Sequence, residues 1–135
     1  MKITALLFTT ILFFSHYIVA DETWLVININ GYGAYSPDYV FDTDALAIKK
    51  MVITFTKDGG TVTNSDVKFI KLDDSTLIGY SSNEKGYSIV EIYQINRSQK
   101  KLQFTQTRIN TRELIPNFPD KVTSMVGDIE LIEVN

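Results

Sequence analysis

Short runs of alternating apolar and polar residues, separated by turns of a few residues, cover most of this 135-residue chain. Alternation with a period of two predicts β-strands that bury one face. We expect strands over residues 24–30, 50–57, 67–72, 76–81, 87–95, 101–109 and 127–134. Short connections favour antiparallel pairing of strands that are neighbours in the chain. About eight such strands leave no unpaired edge strand if the sheet closes into a barrel. The sequence therefore predicts an all-β fold, either an eight-stranded up-and-down barrel or a barrel-like sandwich.

The first 20 residues have the pattern of a secretory signal peptide. Lys2 is followed by an apolar run, and the small residue Ala20 stands just before Asp21 and Glu22. We expect a leader helix that is cleaved after Ala20, leaving residues 21–135 as one barrel-like domain without a membrane span. An uncleaved anchor is the alternative, because the apolar run is nearly long enough to cross a bilayer.

The amino acids that the chain lacks exclude several kinds of chemistry. It contains no Cys, and its only His is His16, within the leader. An exported domain without disulfides is typical of a bacterial periplasm or exterior. Zinc, copper and iron sites nearly always use Cys or His, and Ser-His-Asp catalysis requires His, so we predict no metal site and no cofactor. The formal net charge of −3, without a basic run, argues against nucleic acid and favours a cationic partner.

The predicted hairpin of residues 87–109 allows a side-chain register to be assigned. The turn residues 96–100 suit a pairing of Ile95 with Leu102. The same register pairs Tyr93 with Phe104, Glu91 with Gln106, and Ile89 with Arg108. These residues would share one face of the hairpin, apolar near the turn and polar at its other half.

The polar half of this face is the first candidate site. Glu91 lies diagonal to Arg108, within side-chain reach, and Gln106 and Tyr93 are neighbours. If the face points into a barrel, these groups form a candidate ligand site, because burying them is costly unless they pair or meet a ligand. A bulge at residues 89–90 would instead turn Glu91 outward, into an ordinary surface pair.

The second candidate is an aromatic segment at residues 31–44. Its rings are those of Tyr32, Tyr35, Tyr39 and Phe41. Rings of this kind, among Gly and Ser, are typical of contact surfaces. The alternative is that they plug one end of the barrel. The segment also carries three carboxylates, at Asp38, Asp42 and Asp44. A calcium site is conceivable there, but their spacing differs from that of an EF-hand loop, so solvated loop acids are expected.

The layout of the chain combines a signal peptide, about 115 further residues, antiparallel strands and a Trp, here Trp24, near the first strand. This layout resembles that of the calycin-like small barrels. These include the lipocalins and the periplasmic inhibitors of C-type lysozyme. The resemblance implies binding rather than catalysis. No family residue is carried across, because Gly33-Ala34-Tyr35 does not reproduce the Ser-Gly-x-x-Tyr loop of the inhibitors. Glu22-Thr23 also stand where lipocalins have a Gly before their Trp.

These observations predict a secreted or periplasmic binding protein that is not an enzyme. It would hold a small amphipathic molecule in the barrel, or a cationic secreted protein through the aromatic segment. The alternatives are an enzyme that uses Glu91 with an Asp, as in glycoside hydrolysis, and a structural component of the envelope. The expected core consists of Met51, Ile53, Phe55, Phe69, Tyr93, Leu102, Phe104, Ile129 and Leu131.

Overall fold

The computed structural model describes residues 20–43, 49–82, 84, 86–111 and 119–135. The predicted leader lies outside this part of the chain, except for its last residue, Ala20. No helix occurs among the described residues, and so none there is long and apolar enough to cross a membrane.

The described residues form nine strands. They are β1 (Glu22–Tyr35), β2 (Asp42–Thr43), β3 (Lys50–Phe55), β4 (Gly59–Val62), β5 (Lys68–Asp73), β6 (Thr76–Ser82), β7 (Tyr87–Asn96), β8 (Lys101–Asn110) and β9 (Lys121–Val134). Strands β3 to β9 pair antiparallel in chain order, β3 pairs antiparallel with β1, and β9 pairs antiparallel with β1 to close an eight-stranded barrel. The short strand β2 adds to the far end of β1. The predicted barrel is thus confirmed.

Strand β1 is longer than its sequence pattern indicates. The register between β1 and β9 shifts between Ile27 and Asn30, and Asn28 has a φ of 53°. This bulge shifts the alternation of inward and outward side chains, so the second half of the strand does not continue the apolar–polar pattern of the first half. There, a Cβ on Gly31 would lie 2.1 Å from the carbonyl oxygen of Ser124, so only glycine permits this approach of the two strands.

Alternating apolar side chains from the strands form the core of the barrel. The ring of Tyr93 is stacked on Phe104, with centroids 5.2 Å apart, and meets Phe69 edge-on at 5.5 Å. Every predicted core residue is buried except Leu131, which is 48% exposed. That prediction was wrong because β8 begins at Lys101, opposite Asp128, so Leu131 extends beyond it. Trp24 and Val26 join the core from β1.

One end of the barrel, called here the Arg97 end, is covered by a guanidinium group. The Arg97 Cζ atom lies 5.9 Å from the ring centroid of Trp24 and 6.0 Å from that of Phe55. Arg97 donates from Nε and Nη2 to Glu22 Oε2, at 3.1 and 2.5 Å, and from Nη1 to Ser75 Oγ at 3.0 Å. The opposite end, where β1 finishes and β9 begins, is called the loop end.

Candidate functional site

The register predicted for the β7–β8 hairpin is confirmed. Ile95 pairs with Leu102, and Glu91 pairs with Gln106. Pairing continues without a shift from Tyr87 to Asn96, so β7 has no bulge, and Glu91 is only 3% exposed. The carboxylate therefore lies inside the barrel rather than on its surface.

The Glu91 carboxylate is held by uncharged donors. Oε1 accepts from Gln106 Nε2 at 2.6 Å, while Oε2 accepts from Ser65 Oγ at 3.0 Å and from the Tyr93 hydroxyl at 3.1 Å. Burial, and secondarily the charge of Glu91, raises the pKa of Tyr93, so this phenol remains a donor. Ser65 lies in the turn between β4 and β5, and its contribution to this network has no signal in the sequence pattern.

Arg108 makes its own contact towards the loop end. Its Nε and Nη2 atoms donate to the carbonyl oxygen of Pro119, at 3.1 and 2.8 Å. Burial lowers the pKa of this guanidinium. Of the predicted residues on this face, Glu91, Gln106 and Tyr93 thus form one hydrogen-bonded cluster. Arg108 instead binds the backbone just before β9.

A further polar residue, Thr123, lies beside this cluster. It pairs with Gln106 across β8 and β9 and is 1% exposed. Its Oγ1 atom has no hydrogen-bond partner among the described atoms. Sequence reasoning did not identify Thr123, because Thr fits both faces of a strand.

The aromatic segment lies on the outside of the loop end. Val40 and Phe41 are 72% and 63% exposed, and Tyr32, Tyr35 and Tyr39 are also exposed. Tyr35 ends β1 with the Lys121 ammonium 5.7 Å from its ring centroid. The rings therefore do not plug the barrel. We call residues 32–42 the aromatic loop.

Asp120 fixes the conformation of the aromatic loop. Its Oδ2 atom accepts from the Tyr39 hydroxyl at 2.7 Å, and Oδ1 accepts from the backbone and side-chain N–H groups of Asn110, both at 2.7 Å. Its backbone N–H donates to Ser36 Oγ at 2.9 Å, and its carbonyl accepts from Ser36 N at 3.0 Å. The bonds from Asn110 N–H and from Tyr39 lower the pKa of Asp120. Tyr39 itself has a φ of 49°, a strained value for this residue type.

No protein-family model, curated protein or solved structure matches this chain. Its function must therefore be argued from its own geometry. Asp38 and Asp42 are exposed on the aromatic loop, whereas Asp44 lies outside the described residues. Within the described part of the chain, no three acidic or histidine side chains are grouped as a metal site would require.

A cleft of ≈ 380 Å³ lies at the Arg97 end. Its charged lining residues are already paired, Arg97 with Glu22 and Lys71 with Asp74, the latter at 3.1 Å. A charged ligand would have to displace these contacts. These paired charged residues are therefore better explained as covering the end of the barrel than as forming a binding site.

Proposed function

We propose that this protein is an exported binding protein that recognises a cationic protein partner through the aromatic loop. The observation that carries the proposal is the exposure of Tyr39, Val40 and Phe41 on a loop that Asp120 holds in place. Exposed apolar clusters of this kind mark interaction sites in soluble proteins.

The fixed conformation of the loop supports high affinity. A loop that is already ordered loses little conformational entropy when it binds, so more of the contact energy contributes to association. Ser36 and Tyr39 are both bonded to Asp120, which ties the residues just before Val40 and Phe41 to the start of β9.

Charge indicates the kind of partner. Asp38 and Asp42 flank the exposed rings, and the chain as a whole is acidic. A basic protein surface would meet complementary charge at the rim and apolar side chains at the centre, an arrangement common in protein interfaces.

The contacts of the buried cluster support a structural role for it. The Glu91 carboxylate already accepts hydrogen bonds from Ser65, Tyr93 and Gln106. A ligand would have to replace these donors beside the stacked rings of Tyr93 and Phe104. We therefore assign partner recognition to the aromatic loop, and we assign to Glu91 a structural role in ordering the barrel core.

The test measures binding to a C-type lysozyme, used as a cationic probe, by surface plasmon resonance. Phe41→Ser removes a side chain that is 63% exposed, and we expect about tenfold weaker binding because central aromatic contacts carry much of the energy of an interface. Leu72→Ser, on β5, is the matched control, since Leu72 is 59% exposed but lies away from the loop.

Thermal unfolding of both variants checks that the fold is retained. If wild-type protein binds lysozyme and Phe41→Ser binds equally well, the loop is not the recognition surface. If wild-type protein does not bind, the lysozyme used as the probe is excluded as the partner.

A further inference from the structure

Strand β9 continues past the end of its neighbour. Its last pair with β8 is Asp128 with Lys101, and the backbone N–H of Ile129 still donates to the carbonyl oxygen of Lys100. From Glu130 to Val134, β9 pairs on one side with the start of β1, and on the other side no described strand covers it. This segment, called here the β9 edge, is an open edge beyond the part of β9 that closes the barrel with β8 and β1.

The β9 edge is both apolar and acidic. Leu131, Ile132 and Val134 are 48%, 55% and 56% exposed. Glu130, just before them, and Glu133, between Ile132 and Val134, are also exposed. Open edges present unpaired backbone N–H and C=O groups, which are a template for an added strand.

We propose that the β9 edge binds an extended basic segment of a partner protein by β-strand addition. Main-chain hydrogen bonds to the edge would supply affinity, as in other cases of strand addition. Basic side chains of the added segment would pair with Glu130 and Glu133, and its apolar side chains would cover Ile132 and its neighbours. This site lies at the Arg97 end, opposite the aromatic loop, and does not depend on the function proposed above.

A second copy of this chain fits the edge less well. Two β9 edges would bring Glu130 and Glu133 of both copies together, and like charges across a strand pair are destabilising. The register between β1 and β9 also shifts here, since Thr23 pairs with Glu133 whereas Trp24 pairs with Leu131. A flexible segment can follow the resulting irregularity, whereas a rigid strand of a folded copy has to match it.

The experiment uses two synthetic peptides as probes, one alternating Lys and Val and the other alternating Glu and Val. Trp24 is the only Trp in the chain and pairs directly with Leu131, so its fluorescence reports on the edge. We expect the basic peptide to change Trp24 emission and to slow amide hydrogen exchange at residues 130–134. The acidic peptide should do neither.

A double charge reversal, Glu130→Lys with Glu133→Lys, should weaken the basic peptide about tenfold, since exposed ion pairs contribute modestly each. It should also allow the acidic peptide to bind. Both residues are exposed, so the barrel should tolerate the change. Leu72→Ser, at an exposed position on β5 outside both proposed surfaces, serves as a control that should leave peptide binding unaltered. Equal binding of both peptides, absence of amide protection with the basic peptide, or a dimer of the protein that protects the same amides would overturn the proposal.

Discussion

Replacing Thr123 by Val should stabilise the protein. The Thr123 hydroxyl is buried, and its Oγ1 atom lacks a partner among the described atoms. A buried polar group without a hydrogen bond costs about 1–3 kcal/mol, and Val has nearly the shape of Thr. We therefore expect the free energy of unfolding to rise by about 1 kcal/mol, which for a domain of this size raises Tm by about 4 °C.

The assay is urea unfolding followed by circular dichroism, with the midpoint compared at an unchanged m-value. Thr76→Val is the matched control. Thr76 is also buried on a strand, but its Oγ1 atom donates to Asp73 Oδ2 at 3.2 Å. Its replacement should lower the free energy of unfolding by about 1 kcal/mol, because a hydrogen bond is lost. If Thr123→Val destabilises the protein as Thr76→Val does, the Thr123 hydroxyl has a partner and the argument is refuted.

Three further predictions concern the core, the aromatic loop and the leader. Phe104→Ala should lower the free energy of unfolding by about 3–5 kcal/mol, because it leaves a cavity against Tyr93; a loss below about 0.5 kcal/mol in urea unfolding would contradict the packing. The pKa of Asp120 is lowered in the folded state, so its stabilising contribution is complete above the ordinary carboxyl pKa of about 3.9 and is lost as pH falls below it. Asp120→Asn should reduce the loss of stability between about pH 5 and pH 2, measured by urea unfolding at each pH; an unchanged profile would exclude this role. Mass spectrometry of the exported protein should find Asp21 at its N-terminus, whereas an intact Met1 in a membrane fraction would support the anchor.

The sequence predicted those features of the fold that depend on local patterns. The β7–β8 register followed from the length of one turn, and it placed Glu91 beside Gln106. Strand β4 was missed because Gly59 and Gly60 are typical turn residues, yet here they pair with β5. The sequence around these two glycines cannot indicate that β5 approaches closely enough to pair with them.

The candidate site was less predictable, because it depends on contacts between distant residues. The aromatic loop was identified from its composition, but its outward conformation depends on Asp120, 81 positions from Tyr39. The direction of Arg108 depends likewise on the backbone of Pro119. The exposure of Leu131 depends on where β8 begins, which alternation within β9 cannot indicate.

The closure of the barrel by β1 and β9 has a consequence for the kinetics of folding. The hairpins from β5 to β8 join residues close in the chain, whereas the pair of Glu22 with Val134 closes a loop of almost the whole domain. Because long loops cost more entropy to close, we expect the hairpins to form first and the β1–β9 seam to form late. A chain emerging from a ribosome or a translocation channel would therefore expose the unpaired side of β1 until β9 arrives. During that interval β1 is the strand most open to mispairing, and a chaperone that slows aggregation would be expected to act on it.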